Sequence, residues 1–270
     1  MKWRKFVILP KDEASRKLLY LFFQGKKVAG LWEKEEKIIV YLEEEQNLND
    51  LPLHLVSYFE EDEEVESDWK NNWKKSFSVV WAEKNISLRP PWIGPTGANV
   101  DLVIYPGLAF GTGHHPTTLW CIKMLKKYCK KGSTLLDVGT GSGILSIFAS
   151  QIGASKIVAV DIDPLAQKEL RRNCALNNLH PQKIDFKLGS ITDVKGKFDL
   201  LVVNISPDFI IENARLFREK LISGGLLIIS GFEEKDMQKV RRQLNSLSFK
   251  EVDCAIQDSW VTMVFSNDSK

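Results

Sequence analysis

Three glycines at alternate positions, Gly139, Gly141 and Gly143, follow Asp137 at the end of a short apolar run. Glycine lets a backbone turn sharply and approach a ligand closely, so the spacing predicts a ligand-binding loop between a strand and a helix. A dinucleotide loop requires Gly or Ala at its sixth position, where this chain has Ile144, and a carboxylate repels a pyrophosphate. We therefore predict a ligand without pyrophosphate and with a positive charge near Asp137; a plain tight turn is the structural alternative.

Asp161 ends the next apolar run, 22 residues after Gly139. Nucleotide-binding folds place a carboxylate at about this distance to accept the ribose hydroxyls. The competing role of a helix cap fits Asp163 better, because Pro164 follows it at the first helical position. A ribose, an adenine and a cationic tail without pyrophosphate together describe S-adenosylmethionine, which we predict as the cofactor.

Asn204 stands at the end of the fourth apolar run of the same region. An asparagine oxygen there can accept a hydrogen bond from an amine and direct the amine lone pair toward a methyl group. We therefore predict Asn204 as the catalytic residue, with a strand-terminal turn as the alternative. Ser190 follows the third apolar run, and we predict that it contacts the adenine edge.

A second glycine-rich turn contains Thr112 and precedes a helix that we predict to begin at Pro116. Its backbone and the Thr112 hydroxyl can hold a carboxylate or a ribose at the helix N-terminus. His114 and His115 are adjacent and therefore point in different directions, and no Cys or His cluster lies near them in the sequence. We predict that there is no metal site.

The elements that position these residues alternate between strands and helices from about residue 100 onward. The predicted strands are 134–138, 156–161, 184–188, 198–204 and 226–230, and the predicted helices are 144–152, 164–178, 208–220 and 233–245. Short Val, Ile and Leu strands between amphipathic helices indicate a mostly parallel sheet covered on both faces. Two further runs, 249–252 and 260–265, predict a final antiparallel pair. The fold class is therefore a doubly wound α/β domain.

Three regions divide the chain. Residues 1–59 predict a small α/β domain, with strands over 3–9, 28–33 and 37–42 and a helix over 13–23. Residues 60–95 predict a linker that begins with an acidic run and continues with Trp69, Trp73, Phe77 and Trp81 at helical spacing. Residues 96–270 form the predicted ligand-binding domain.

The composition excludes several classes of protein. The 270 residues are 44% hydrophobic, no apolar run is long enough to cross a membrane, and four scattered cysteines indicate neither a metal site nor a disulfide framework. Residues 1–70 hold 11 Lys and Arg against 16 Asp and Glu, so this acidic part suits a basic partner or a solvated face. The net charge of +2 does not indicate a nucleic-acid-binding protein. We expect a cytoplasmic monomer.

Together the segments 107–118, 137–145, 160–164 and 204–205 resemble the bacterial methyltransferase family that acts on the eleventh large-subunit ribosomal protein. The resemblance implies a class I methyltransferase domain, Rossmann-like with a seven-stranded mostly parallel sheet, behind a small ferredoxin-like substrate-recognition domain. It also implies methyl transfer from S-adenosylmethionine to lysine ε-amines and the N-terminal α-amine of that basic protein, free or on the ribosome. The expected cofactor-binding residues are Thr112, Asp137, Gly139, Gly141, Asp161, Ser190 and Asn204.

The chain departs from the family at Tyr105, where the family usually has Asp, and at Ser206-Pro207, where Leu is usual; its first domain is also short. Two alternatives therefore stand beside the ribosomal target. One is an S-adenosylmethionine-dependent methyltransferase of another protein lysine or of a small-molecule amine. The other is a non-catalytic protein that binds S-adenosylmethionine.

Overall fold

The computed structural model describes residues 3–24, 26, 28–34, 36–43, 48–64, 74, 77–107, 113 and 115–268. The chain divides into two compact units, residues 1–77 and residues 78–270. Each unit has its own hydrophobic core. No helix of the described ranges is long and apolar enough to span a membrane.

The first unit is an antiparallel sheet with one packed helix. Its elements are β1 (Trp3–Pro10), α1 (Glu13–Gln24), β2 (Val28–Lys34), β3 (Lys37–Glu43), a 3₁₀ turn (Leu53–Leu55) and β4 (Val56–Glu64). The strand order β2-β3-β1-β4 is that of a ferredoxin-like fold, as the resemblance implies. Between β3 and β4 the described residues contain the 3₁₀ turn in place of the second helix, which explains the short first domain.

The predicted linker over 60–95 is wrong at both ends. Residues 60–64 belong to β4, because they pair in an antiparallel ladder with β1 and the ladder overrides their acidic composition. Residues 80–103 belong to the second unit, where β5 (Val80–Glu83), β6 (Ile86–Arg89) and β7 (Val100–Val103) form a three-stranded sheet. Trp81 lies in β5 rather than in a helix, and Trp69 and Trp73 lie outside the described residues.

The second unit contains a seven-stranded sheet with helices on both faces. Its strands are β8 (Thr134–Val138), β9 (Lys156–Asp161), β10 (Ile184–Leu188), β11 (Phe198–Asn204), β12 (Leu221–Glu233), β13 (Phe249–Gln257) and β14 (Trp260–Asn267). Its helices are α2 (Pro116–Tyr128), α3 (Ile144–Gln151), α4 (Pro164–Leu176), α5 (Pro207–Lys220) and α6 (Glu234–Ser246). The sheet order is β10-β9-β8-β11-β12-β14-β13, parallel through β12 and antiparallel beyond it. The predicted doubly wound domain is confirmed.

Alternate residues of the central strands face opposite sides of the sheet, and both sides are buried. Leu135 and Val202 belong to the core that includes residues of α2, α3 and α4. Leu136 and Val203 belong to the core that includes residues of α5 and α6. This double burial accounts for the continuous Val, Ile and Leu runs in the sequence.

The sheet order reverses at β8, which lies between β9 and β11. In open α/β sheets the ligand crevice lies outside the carboxyl ends of the strands at such a switch point. Asp137, Asp161 and Asn204 all lie at the carboxyl ends of these three strands. The topology therefore brings the predicted site residues to one edge of the sheet.

Candidate cofactor and active site

The glycine loop after β8 needs glycine for both conformational and steric reasons. Gly139, Gly141 and Gly143 have φ values of 71°, 52° and 81°, a region that other residues rarely adopt. A Cβ at Gly139 would lie 2.5 Å from Ile205 Cδ1, and one at Gly143 would collide with Leu170. The loop is thus packed tightly between the segment after β11 and helix α4, with its backbone at the crevice.

Asp137 lies beneath this loop with 1% of its surface exposed. Its Oδ2 accepts hydrogen bonds from the Thr140 and Ser146 hydroxyls, each at 2.7 Å. Burial raises the pKa of Asp137 to about 6, although the two hydroxyl donors oppose that rise. The contacts present therefore fix the loop, and a direct contact between Asp137 and the cofactor stays a prediction.

The buried charge of Asp137 predicts a pH-dependent stability. The native pKa of about 6 lies above the ordinary aspartate value of 3.8, so the native state binds more protons between these pH values and loses stability as pH rises through them. An Asp137→Asn variant has no carboxyl group at this position, so this decrease in stability with rising pH is absent from it. Its free energy of unfolding relative to wild type should therefore rise by about 1–2 kcal/mol from pH 5 to pH 8 in denaturant titrations. A difference that stays constant with pH would contradict the burial argument.

Asp161 joins three segments at the carboxyl end of β9. Its Oδ2 accepts from the Gly141 amide at 2.8 Å, and its Oδ1 accepts from the Asp163 amide at 2.9 Å. Its backbone oxygen accepts from the Gly189 amide at 2.9 Å. A carboxylate offers about four acceptor positions, so the half-buried Asp161 retains capacity for ribose hydroxyls. As predicted, Asp163 rather than Asp161 caps α4.

Ser190 forms a capping box at the start of a 3₁₀ turn over Ile191–Asp193. The Ser190 hydroxyl contacts the Thr192 hydroxyl at 2.6 Å, and the Ser190 amide donates to Asp193 Oδ2 at 2.8 Å. These contacts shape the turn after β10, and the hydrogen bond from the Gly189 amide to the Asp161 carbonyl holds it beside the end of β9. The predicted contact between Ser190 and adenine stays a prediction.

Two exposed apolar side chains at the same edge of the sheet were not predicted as site residues from the sequence. Ile162, which follows the last residue of β9, is 78% exposed, and Leu188, the last residue of β10, is 57% exposed. Large apolar side chains exposed beside a polar crevice are typical of a site for a flat apolar ring such as adenine. The sequence feature that could have indicated Ile162 is its position between Asp161 and Asp163, whose polar side chains mark a turn.

Asn204 ends β11 and carries an unsatisfied polar atom. Its Oδ1 is buried and has no hydrogen-bond partner among the described residues. A Cβ at Gly231 would collide with the backbone of Ile205, so β12 packs directly against the segment that follows Asn204. Ser206 caps α5, and Pro207 is the first residue of that helix. The two residues at which this chain departs from the family therefore form the beginning of α5.

The second glycine-rich turn is described only in part, and Thr112 lies outside the described residues. Helix α2 begins at Pro116 as predicted, and the His115 side chain caps it by accepting from the Thr117 amide at 3.4 Å. The His115 ring packs against Trp260, and burial lowers the pKa of His115. In the described part of the chain, no three His, Cys, Asp or Glu side chains converge as metal ligands.

The residues gathered at this edge fit S-adenosylmethionine. Asp161 is suited to the ribose hydroxyls, and Ile162 and Leu188 are suited to the adenine ring. The three loop glycines have no side chains, so the backbone at these positions can approach a ligand closely. The Asn204 Oδ1, which has no partner within the described ranges, is suited to accept from a donor brought to the reacting methyl group.

Comparisons of sequence agree on one family. The family model described as ribosomal protein L11 methyltransferase (PrmA) matches residues 10–268. A ribosomal protein L11 methyltransferase of Aquifex aeolicus is 37% identical over 266 residues, covering 98% of each chain. Another, of Dictyoglomus turgidum, is 35% identical over 206 residues, covering 75% of this chain and 68% of the relative.

A comparison of structures gives the same result. A crystal structure of the ribosomal protein L11 methylase from Lactobacillus delbrueckii subsp. bulgaricus matches with a TM-score of 0.66 and 30% identity, covering 71% of this chain and 99% of that one. A putative S-adenosylmethionine-dependent methyltransferase from Streptococcus mutans, 14% identical with a TM-score of 0.54, shares the fold alone. The chain therefore belongs to the ribosomal protein L11 methyltransferase family and is an S-adenosylmethionine-dependent class I methyltransferase.

Proposed function

We propose that this protein methylates ribosomal protein L11 at lysine ε-amines and at the N-terminal α-amine. The observation that supports amine transfer best is the buried Asn204 Oδ1, which has no hydrogen-bond partner in the part of the chain that the structure describes. A buried amide oxygen without a donor is costly, and the N–H of an incoming amine would satisfy it. The names of the relatives support L11 as the protein that supplies the amine.

The proposed mechanism is a direct in-line displacement. Bound S-adenosylmethionine supplies an electrophilic methyl group on its sulfonium. The amine must arrive neutral, and because free lysine has a pKa of about 10.4, desolvation in the crevice is needed to lower it. Asn204 Oδ1 then accepts one N–H and holds the lone pair in line with the methyl carbon. The nitrogen–carbon bond forms as the carbon–sulfur bond breaks, and the displaced proton leaves the nitrogen to water.

The first unit is the proposed recognition domain for the basic substrate, free or on the ribosome. Strand β4 lies at one edge of the described sheet and carries the exposed residues Tyr58, Phe59, Glu60 and Glu61. Acidic side chains on an edge strand favour approach of a positively charged protein, and the strand edge offers unpaired backbone groups. We further propose that the protein acts in the cytoplasm as a monomer and does not read nucleic acid directly.

Intact-mass spectrometry of purified L11 tests this proposal. After incubation with the full chain and S-adenosylmethionine, we expect L11 to gain mass in steps of one methylene group, while a second basic ribosomal protein of similar size gains none. Equal modification of both proteins would favour a general protein-lysine methyltransferase. No modification of either, with clear cofactor binding by calorimetry, would overturn the proposal in favour of a small-molecule amine or a non-catalytic role.

A further inference from the structure

Helix α4 contacts both the glycine loop and the chain segment that follows β7. Asn173, in the last turn of α4, has 0% of its surface exposed. Its Nδ2 donates to the Ser142 carbonyl at 2.8 Å, and its Oδ1 accepts from the Tyr105 amide at 2.9 Å. A single buried side chain thus links the loop over 139–143 to the segment over 103–107.

Two close contacts lie on the same helix, one turn before Asn173. A Cβ at Gly143 would collide with Leu170, and a Cβ at Gly107 would lie 2.5 Å from Glu169 Oε2. Residues three and four apart share one face of a helix, so Glu169, Leu170 and Asn173 lie close together on α4. This face therefore packs closely against two separate glycine-containing segments.

The arrangement at position 173 requires both a donor and an acceptor. The Ser142 carbonyl needs a donor and the Tyr105 amide needs an acceptor, and a buried backbone group without its partner is costly. An asparagine amide provides both in a short side chain, whereas a carboxylate or an alanine cannot. Asn173 has no exposed surface, so it acts on the ligand only through the loop.

We propose that Asn173 is a positioning residue for the cofactor, because its two hydrogen bonds hold the glycine loop in its binding conformation against the segment over 103–107. The inference concerns how the loop is held and does not depend on which amine is methylated. It predicts that loss of Asn173 loosens the loop even without cofactor, and that this loosening weakens cofactor binding.

Asn177 provides a matched control one helical turn later. Its Oδ1 accepts from the Val103 amide at 3.0 Å, and its Nδ2 donates to the Val103 carbonyl and to the Asn173 carbonyl, each at 2.7 Å. It therefore anchors the end of β7 to α4 through side-chain hydrogen bonds, as Asn173 does one turn earlier. Among the described residues, the Asn177 side chain makes no hydrogen bond to the loop over 139–143.

The experiment compares Asn173→Ala and Asn177→Ala in the full chain. We measure S-adenosylmethionine affinity by calorimetry, amide hydrogen exchange of residues 139–143 without cofactor, and the midpoint of thermal unfolding. Asn173→Ala should weaken affinity by about 10- to 100-fold, since the loop loses its hydrogen bond to α4, and should accelerate exchange in the loop. Asn177→Ala should lower the unfolding midpoint similarly, yet change affinity by less than about threefold.

An Asn173→Asp variant separates the two hydrogen bonds. The carboxylate keeps the shape of the side chain and can still accept from the Tyr105 amide, but it faces the Ser142 carbonyl without a donor. We expect it to bind S-adenosylmethionine at least as weakly as Asn173→Ala, and it decides the question if the alanine variant does not fold. Wild-type affinity in Asn173→Asp, or equal losses in Asn173→Ala and Asn177→Ala, would overturn the proposal.

Discussion

Replacing Asn204 by alanine should lower kcat for methyl transfer by about 10²- to 10³-fold, the effect of removing one group that acts on the reacting centre. The Asn204 Oδ1 is buried and accepts no hydrogen bond from any described residue, so we propose that its acceptor capacity serves the incoming amine. Without it the amine lone pair is no longer held in line, while the contacts that we propose between the cofactor and the ends of β8 and β9 are unchanged. The affinity for S-adenosylmethionine should therefore change by less than about fivefold, measured by calorimetry beside single-turnover kinetics.

Ser230 is the matched control for this substitution. It pairs with Asn204 in register on β12, is fully buried, and its hydroxyl bonds to the Val261 carbonyl at 2.7 Å and contacts the Thr262 hydroxyl at 2.7 Å. Ser230→Ala removes a buried polar group next to Asn204 without touching the amine position. Equal losses of kcat in Ser230→Ala and Asn204→Ala would mean that Asn204 serves packing rather than catalysis.

Replacing Asp161 by asparagine should weaken S-adenosylmethionine binding by about 10- to 100-fold, since a charged acceptor for hydroxyls is lost. In the wild type the amides of Gly141 and Asp163 both donate to the Asp161 carboxylate. The substitution places an NH₂ group against one of these two amides. The loop after β8 and the ribose position are therefore disturbed together. Calorimetry with S-adenosylmethionine measures the loss directly.

Asp163→Asn is the control for charge and for helix capping. It removes a negative charge two residues away, but asparagine caps helices about as well as aspartate, so α4 keeps its start. We expect its affinity for S-adenosylmethionine to stay within about threefold of wild type. If Asp163→Asn and Asp161→Asn weakened binding equally, long-range charge rather than a ribose contact would explain the effect.

The sequence predicted the central sheet closely because each strand carries its own signal. Strands β8, β9, β10 and β11 have the predicted bounds, since continuous apolar runs end at glycine or at polar residues. Strand β4 was harder to predict, because its acidic second half has no hydrophobic pattern and is specified by pairing with β1. Tertiary pairing of this kind overrides local propensity.

The predicted site residues lie at one edge of the sheet because the carboxyl ends of parallel strands lie at the same edge. This could be predicted without knowing the order of the strands. The burial of Asp137 beneath the loop depends on Thr140 and Ser146, whose orientation the sequence does not reveal. Asn173 was missed for a similar reason. Its signal is an asparagine between apolar positions of an amphipathic helix, and its partners lie 31 and 68 residues away.

A crystal structure of the full chain with S-adenosylhomocysteine tests the proposed site most directly. We expect the ribose hydroxyls within hydrogen-bond distance of the Asp161 carboxylate and the adenine beside Ile162 and Leu188. The sulfur should lie on the side of the crevice where Asn204 ends β11. A nucleoside bound away from the ends of β8 and β9, with Asp161 contacting only the protein backbone, would contradict the account.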